Sequence, residues 1–179
     1  MRKYFSLIIL ALTLSTLGAH AAEPMKVQCI EGELNLGISA PFKEIKNHSN
    51  CAGFDIGAEL RYNLPRVPVA IGAMFELYNP ERTTKGDYAG PADDYSGVLY
   101  GLTGEYNFRR GRDVNPFVGL GAGVDNLTSD SKCYAFARPK IGVELFHHIR
   151  INASVTITER HATGWTLSVG FVFGGRPRK

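Results

Sequence analysis

The stretch TERHATGW, residues 158–165, contains the residue types that nucleophilic catalysis requires. His161 is a candidate general base, the hydroxyl of Thr163 a candidate nucleophile, and Glu159 a candidate for orienting the histidine. A hydroxyl two residues from a histidine is nevertheless common by chance, and no diagnostic catalytic motif accompanies this one. We therefore expect no catalytic residue and no enzymatic activity.

A second group that suggests chemistry is Glu144 with His147 and His148, which together resemble a set of metal ligands. Neighbouring side chains at the end of a strand point to opposite sides, so the two histidines are poorly placed to share one ion. We expect a solvated turn at this point, with no metal site and no cofactor.

The first 21 residues predict a secretory signal peptide. Arg2 and Lys3 precede a short apolar run that ends in Ala19-His20-Ala21, a typical cleavage pattern. Without Arg2 and Lys3 the formal net charge falls from +3 to +1. So small a charge does not suggest a nucleic-acid partner. The mature chain is expected to begin with a short N-terminal segment, residues 22–31.

Eight later segments alternate between bulky and small or polar residues, and this period of two predicts β-strands. Long polar loops and short turns connect them in alternation, which is typical of an up-and-down meander. In the sixth segment Pro139 cannot donate a ladder hydrogen bond, so we expect a bulge or a shorter strand there. The segments are GELNLGISA, FDIGAELRY, VPVAIGAMFEL, VLYGLTGEYNF, NPFVGLGAGV, YAFARPKIGVEL, IRINASVTI and GWTLSVGFVF.

The second face of these strands distinguishes a soluble barrel from a membrane barrel. In a soluble barrel that face would meet water and carry many charges. In the fifth and eighth segments it has none, only residues such as Gly119, Gly121, Thr166 and Ser168 that suit a narrow interior. Aromatic residues lie towards both ends of the apolar face, as in a barrel that spans a membrane. The sequence therefore predicts an all-β, eight-stranded antiparallel up-and-down transmembrane β-barrel over residues 32–173, followed by a basic tail, residues 174–179.

This pattern of strands, turns and aromatic belts resembles the small outer-membrane β-barrel family, the porin-like group that includes the OmpA transmembrane domain and the OmpX proteins. The resemblance implies a multi-pass protein of the Gram-negative outer membrane. It also implies that outer-membrane lipids, lipopolysaccharide and the barrel assembly machinery are its partners. Outer-membrane lipid A deacylases are similar in placing a His-x-Ser pair at the barrel rim, although Thr163 stands here in place of the serine.

With the apolar face outward, the charged strand residues must point into the lumen. Burial of charge is costly unless it is paired, so we expect an ion pair between Glu144 and Arg150 across the short turn FHH. Arg61 and Glu105 lie at a similar depth. The predicted lumen charge network is therefore Arg61, Glu105, Glu144 and Arg150. It is interpreted first as a structural plug, and alternatively as the lining of a narrow channel for small solutes or ions.

Function in such barrels resides in the long loops. Cys51 and Cys133 end two of these loops and are the candidate disulfide, with Cys29 left unpaired. The leading hypothesis is a non-enzymatic barrel with a structural or surface-interaction role, whose loops contact an extracellular ligand. The alternative to such a contact group is a solvated polar loop, and a lipid A hydrolase at the outer rim is a further alternative. The candidate contact residues are Asp87, Tyr88, Asp93, Asp94 and Tyr95.

Overall fold

The computed structural model describes residues 28–42, 48–50, 53–79, 82–84, 97–127, 133–158 and 164–174. The predicted signal peptide, the candidate loop contacts, Cys51 and residues 159–163 lie outside these ranges. Among the described residues, no helix is long and apolar enough to cross a membrane.

Ten strands make up the described structure, and eight of them form one closed antiparallel barrel. The predicted eight-stranded all-β fold is thereby confirmed. The barrel strands are β1 (Ile30–Pro41), β3 (Gly53–Asn63), β4 (Val69–Asn79), β6 (Gly97–Asn107), β7 (Val114–Leu127), β8 (Cys133–Leu145), β9 (Ile149–Thr158) and β10 (Gly164–Gly174). Around the barrel their order is β1-β10-β9-β8-β7-β6-β4-β3, so every strand pairs with its neighbours along the chain and β1 closes on β10.

The two remaining strands, β2 (His48–Asn50) and β5 (Arg82–Thr84), pair with each other outside the barrel. They belong to the connections β1–β3 and β4–β6, which are two of the long loops. The short connections cover residues 64–68, 108–113 and 146–148. We call the two ends of the barrel the long-loop end and the short-turn end.

The polarity of the two faces is the reverse of that in a soluble barrel. Apolar side chains on alternate positions are exposed, among them Leu102 at 72% and Leu36 at 65% of their surface. The buried set on the inner face is mostly polar or charged, and the two largest of its fully buried side chains are Arg61 and Arg150. The apolar face of each predicted strand therefore lies outward, as the alternation indicated.

Pro139 neither shortens β8 nor introduces a bulge, so that expectation was wrong. The pairing of β8 with β7 continues through Leu120 and Pro139 without a gap. On the β9 side the pairs Ala137 with Ile157 and Lys140 with Ser154 keep the same register, and only the two pairs between them are missing. A proline lacks a single N–H, and because N–H groups along a strand face alternate neighbours, only one of the two ladders is interrupted.

Inner-face glycines make room for large inner side chains on adjacent strands. A Cβ on Gly142 would lie 2.5 Å from the carbonyl oxygen of Ile151 and 2.7 Å from Cε1 of Phe117, and closer still to Cζ of the same ring. We expect Gly142→Ala to lower the free energy of unfolding by about 1–3 kcal/mol, because neither backbone nor ring can move freely. A Cβ on Gly32 meets nothing within 4 Å, so Gly32→Ala should leave stability unchanged or slightly raised. Urea unfolding in detergent micelles compares the two variants, and equal effects would contradict this packing.

The turn between β8 and β9 places two non-glycine residues in the left-handed region, Phe146 at φ 53° and His147 at φ 63°. The amide of His148 donates to the carbonyl of Leu145 at 3.1 Å and closes this turn. We expect His147→Gly to raise the free energy of unfolding by about 0.5–1 kcal/mol, because glycine adopts positive φ without steric cost. His148 is not strained in this way, and its ring stacks on Phe171 with centroids 5.6 Å apart. His148→Gly should therefore reduce stability. A gain of stability in both variants would contradict the assignment of backbone strain to His147.

Candidate functional site: the charged lumen

The lumen contains a buried ion-pair network towards its short-turn end, which we call the lower network. Its three cations come from strands β3, β8 and β9, and its five carboxylates from β1, β3, β6 and β8. The cations are Arg61, Lys140 and Arg150, and the carboxylates are Glu31, Glu33, Glu59, Glu105 and Glu144.

Arg150 lies at the centre of the lower network. Its Nη2 donates to Glu105 Oε2 at 2.8 Å and its Nη1 to Glu33 Oε2 at 3.0 Å. Its Nε lies 3.7 Å from Glu144 Oε2, and its guanidinium lies 3.7 Å from the ring centroid of Phe117. Glu144 and Arg150 are direct partners in the register of β8 and β9, which the short turn FHH imposes.

Arg61 approaches the same carboxylates from the other side. Its Nη1 donates to Glu33 Oε2, and its Nε lies 4.0 Å from Glu105 Oε2. Arg61, Glu105, Glu144 and Arg150 thus belong to one connected group in the structure. Both arginines share Glu33 and Glu105, so removal of either arginine leaves buried carboxylates short of a partner.

Sequence reasoning left four members of the lower network out of the predicted group, namely Glu31, Glu33, Glu59 and Lys140. Glu33 contacts both arginines. Lys140 bridges two carboxylates, because its Nζ lies 2.6 Å from Glu105 Oε1 and 2.7 Å from Glu59 Oε2. The sequence pattern could have identified Glu33, because it immediately precedes Leu34 on the strand. Leu34 and Leu36 lie on the outer face, so Glu33 lies on the inner face. The sequence could not show that Lys140 reaches Glu59, because their strands are far apart along the chain.

A second group, the upper cluster, lies nearer the long-loop end. Arg138 Nη2 donates to Glu76 Oε1 at 2.7 Å and to Thr166 Oγ1 at 2.9 Å, and its Nε donates to Ser154 Oγ at 3.0 Å. Nη1 of Arg138 also pairs with Glu76, so all three guanidinium nitrogens are engaged. In a separate contact, the hydroxyl of Tyr78 donates to Asp125 Oδ1 at 2.8 Å.

These ion pairs cross the lumen. Arg150 and Glu105 lie on β9 and β6, three positions apart in the barrel order, as do Arg138 on β8 and Glu76 on β4. Lys140 on β8 and Glu59 on β3 are four positions apart, which is diametrically opposite in a barrel of eight strands. An eight-stranded barrel is only wide enough for its interior to be filled by side chains. The charged side chains therefore fill the lumen at these levels.

One further arginine connects two short turns. Arg110 is 8% exposed, and its Nη1 donates to the carbonyl oxygens of Leu64 at 2.8 Å and Val67 at 2.9 Å. Burial lowers the pKa of its guanidinium, while the carboxylates of Glu31 and Glu144 act in the opposite direction. Arg110 thus ties the turn of residues 108–113 to that of residues 64–68.

Of the cysteines, Cys29 and Cys133 are described, and both are exposed. Cys133 begins β8 at the long-loop end, whereas Cys29 precedes β1 at the short-turn end. Because Cys51 lies outside the described residues, its pairing with Cys133 stays a prediction. The candidate catalytic group Glu159, His161 and Thr163 also lies outside them.

No protein-family model matches the sequence, and no curated protein is similar to it at a significant level. Solved structures do match. Neisserial surface protein A (NspA) superposes with a TM-score of 0.57 at 12% identity, over 83% of this chain and 98% of that one. The outer membrane protein OprG from Pseudomonas aeruginosa gives a TM-score of 0.55 at 11% identity, over 86% of this chain and 100% of that one.

This chain has the fold of the small outer-membrane β-barrels. The match extends over essentially the whole length of both solved chains. At 11–12% identity the likeness concerns the fold and not the side chains of the lumen. The ion-pair network must therefore be interpreted from its own geometry.

Proposed function

We propose that this chain is a non-enzymatic integral protein of the outer membrane, with a closed lumen and a structural or surface-interaction role. The observation that carries the proposal is the pair Lys140–Glu59, whose atoms meet at 2.7 Å across the full width of the barrel. Together with the outward apolar face, it describes a barrel that is stabilised by lipid outside and by paired charges inside. The proposal implies a location in the Gram-negative cell envelope. It also implies a cleaved signal peptide and insertion by the barrel assembly machinery.

Location is tested first, by comparing the membrane fraction with the detergent-free soluble fraction. We expect the protein in the membrane fraction, with a gel band whose mobility shifts on boiling in detergent, as a closed barrel that resists detergent would show. A protein that stays soluble without detergent would contradict the proposal, because 28 large apolar side chains are exposed among the described residues.

The closed lumen predicts that the purified protein produces no stepwise conductance in planar bilayers. The alternative, a narrow channel, predicts steady single-channel steps that change in Arg150→Ala, because Arg150 lies in the lumen, and that do not change in Arg109→Ala. Arg109 is the matched control since it is exposed in a turn. Steps with this pattern would replace the closed-lumen proposal with the channel.

The proposed partners are lipopolysaccharide and an extracellular ligand of the long loops. The second long loop, with Asp87, Tyr88, Asp93, Asp94 and Tyr95, is the proposed contact surface. Replacing these five residues together should reduce binding of intact cells to a surface coated with the extracellular ligand, without changing the boiling-dependent gel shift.

The alternative of a lipid A hydrolase at the outer rim predicts that expression of the protein alters lipid A acylation. This change would disappear in His161→Ala. Unaltered acylation supports the non-enzymatic role.

A further inference from the structure

Three exposed arginines lie on the short turns, and we call them the arginine patch. Arg66 belongs to the turn of residues 64–68, and Arg109 and Arg112 belong to the turn of residues 108–113. None of their guanidinium groups forms an ion pair or a hydrogen bond with another residue that the structure describes. The arginines of the lower network and the upper cluster, in contrast, are all paired with carboxylates. The patch is therefore free to bind an external anion.

The two turns that carry the patch are held side by side. The buried Arg110 donates from one turn to the carbonyl oxygens of Leu64 and Val67 in the other. The amide of Asn107, just before the second turn, donates to the carbonyl of Pro68 at 2.8 Å. The exposed arginines thus share one part of the short-turn end, beside a fourth guanidinium. Like charges that are held close together repel, so an anion between them is favourable.

Acidic side chains at this end do not neutralise the patch. Asp113 is the one acidic residue in the short connections 64–68, 108–113 and 146–148, and its carboxylate lies 3.7 Å from Nε2 of His147. Glu31 and Glu144 lie nearby but are buried, and both contact cations of the lower network. The exposed surface of the short turns is therefore basic.

The patch adjoins the aromatic belt of the short-turn end. Tyr106 on β6 is exposed and lies three residues before Arg109, and Tyr62 on β3 is exposed and lies four residues before Arg66. Tyrosines of such belts lie at the level of the lipid headgroups. An exposed arginine has a long flexible stem that can extend back to this level. The guanidinium groups are thus placed to contact lipid phosphates.

The lipid-facing surface next to this belt has an open position at Gly104. Gly104 lies two residues from Tyr106 on the same face of β6, and it pairs with Ile71 on β4 and Leu120 on β7. Both of these neighbours are exposed, and a Cβ on Gly104 would meet nothing within 4 Å. An acyl chain can therefore lie close to the backbone between their side chains.

We propose that the arginine patch binds an anionic glycerophospholipid of the inner leaflet, with its phosphate at the three guanidinium groups and an acyl chain over Gly104. Arginine suits this role because its guanidinium can form two parallel hydrogen bonds with one phosphate. The inference rests on the proposed outer-membrane location, in which the short-turn end faces the periplasm. It adds a lipid class and a binding site to that proposal.

The test is quenching of tryptophan fluorescence by brominated lipids in vesicles that mix phosphatidylglycerol with phosphatidylcholine. Tyr106→Trp combined with Trp165→Phe places the single tryptophan at the short-turn end, and the natural protein reports on the long-loop end through Trp165. Quenching with each lipid brominated in turn gives the preference for phosphatidylglycerol at each reporter. We expect a preference of about fivefold or more at residue 106 and a ratio close to one at residue 165.

Two triple variants, made in the background of the residue 106 reporter, test the charge. Replacement of the three arginines of the patch by glutamine should bring the ratio at residue 106 close to one. The matched control replaces Lys43, Lys46 and Lys85 of the long loops by glutamine. It removes the same charge from the other end of the barrel and should leave the ratio unchanged.

A pair of glycine variants in the same background tests the position of the acyl chain. Gly104→Leu fills the open position and should lower the ratio at residue 106. Gly32→Leu is the matched control, because Gly32 on β1 also faces outward and a Cβ there would meet nothing within 4 Å. It is separated from β6 by two strands in the barrel order and should leave the ratio unchanged.

The possible failures are distinguishable, because the boiling-dependent gel shift shows whether each variant is folded in the vesicles. A natural protein that does not insert into vesicles would contradict both the outer-membrane proposal and this inference. A folded, inserted barrel without a preference for phosphatidylglycerol at residue 106, or with equal losses in the two charge variants, would overturn the inference alone. Retention of purified peptidoglycan by the arginine patch without any lipid preference would also overturn it.

Discussion

Arg150→Ala lowers the free energy of unfolding by about 3–5 kcal/mol, which is the expected cost of removing one partner from a buried ion-pair network. Arg150 is 1% exposed and serves Glu33, Glu105 and Glu144 at once. Without it these carboxylates stay buried in the lower network, whose remaining cations, Arg61 and Lys140, are already engaged. Urea unfolding in octyl glucoside micelles measures the effect through the fluorescence of Trp165, the single tryptophan of the sequence.

Two further variants distinguish the effect of the ion-pair network from the effect of removing a positive charge. Arg150→Lys keeps the charge but loses the bidentate contact with Glu105, so we expect a smaller loss, and this variant remains informative if Arg150→Ala does not fold. Arg109→Ala removes an exposed arginine from a turn and should change stability by no more than about 0.5 kcal/mol. A surface salt bridge contributes about 1 kcal/mol or less. If the free energies of unfolding of Arg150→Ala and the natural protein differ by no more than roughly this amount, the network does not stabilise the barrel.

Leu36→Arg is expected to reduce stability by about 2–4 kcal/mol in lipid vesicles, since it places a charge on the lipid-facing surface. Leu36 is 65% exposed and pairs with Ile56 on one side and Val169 on the other, in the middle of the apolar band. In water an exposed leucine can be replaced by arginine at little cost. The variant therefore measures whether lipid covers this face.

Val67→Arg is the matched control for Leu36→Arg. Val67 is also an exposed apolar residue, at 46% of its surface, but it lies in a short turn outside the strands. Near the interface an arginine costs about 0–1 kcal/mol, so this variant should be close to the natural protein. Equal small effects of the two substitutions would contradict the assignment of the outer face to lipid.

The strands and their faces were predictable because they depend on a local property. Each side chain of a strand lies on the face opposite to its neighbours, so the alternation of Leu34, Leu36 and Ile38 with small or polar residues reports directly on burial. The short turns fixed further pairs, and Glu144 opposite Arg150 needed only the length of FHH. The disruptive effect of Pro139 was overestimated, because a proline removes one N–H and leaves the other ladder intact.

What the sequence by itself determined is the eight-stranded barrel and the direction in which each side chain points. The tertiary structure alone decided which inward charges meet, because Lys140 and Glu59 are 81 residues apart and come together only when the barrel closes β1 on β10. It also decided that the three guanidinium nitrogens of Arg138 are engaged by Glu76, Ser154 and Thr166. Alternation is set by the geometry of one strand, whereas contacts across a lumen depend on the register and stagger of all eight.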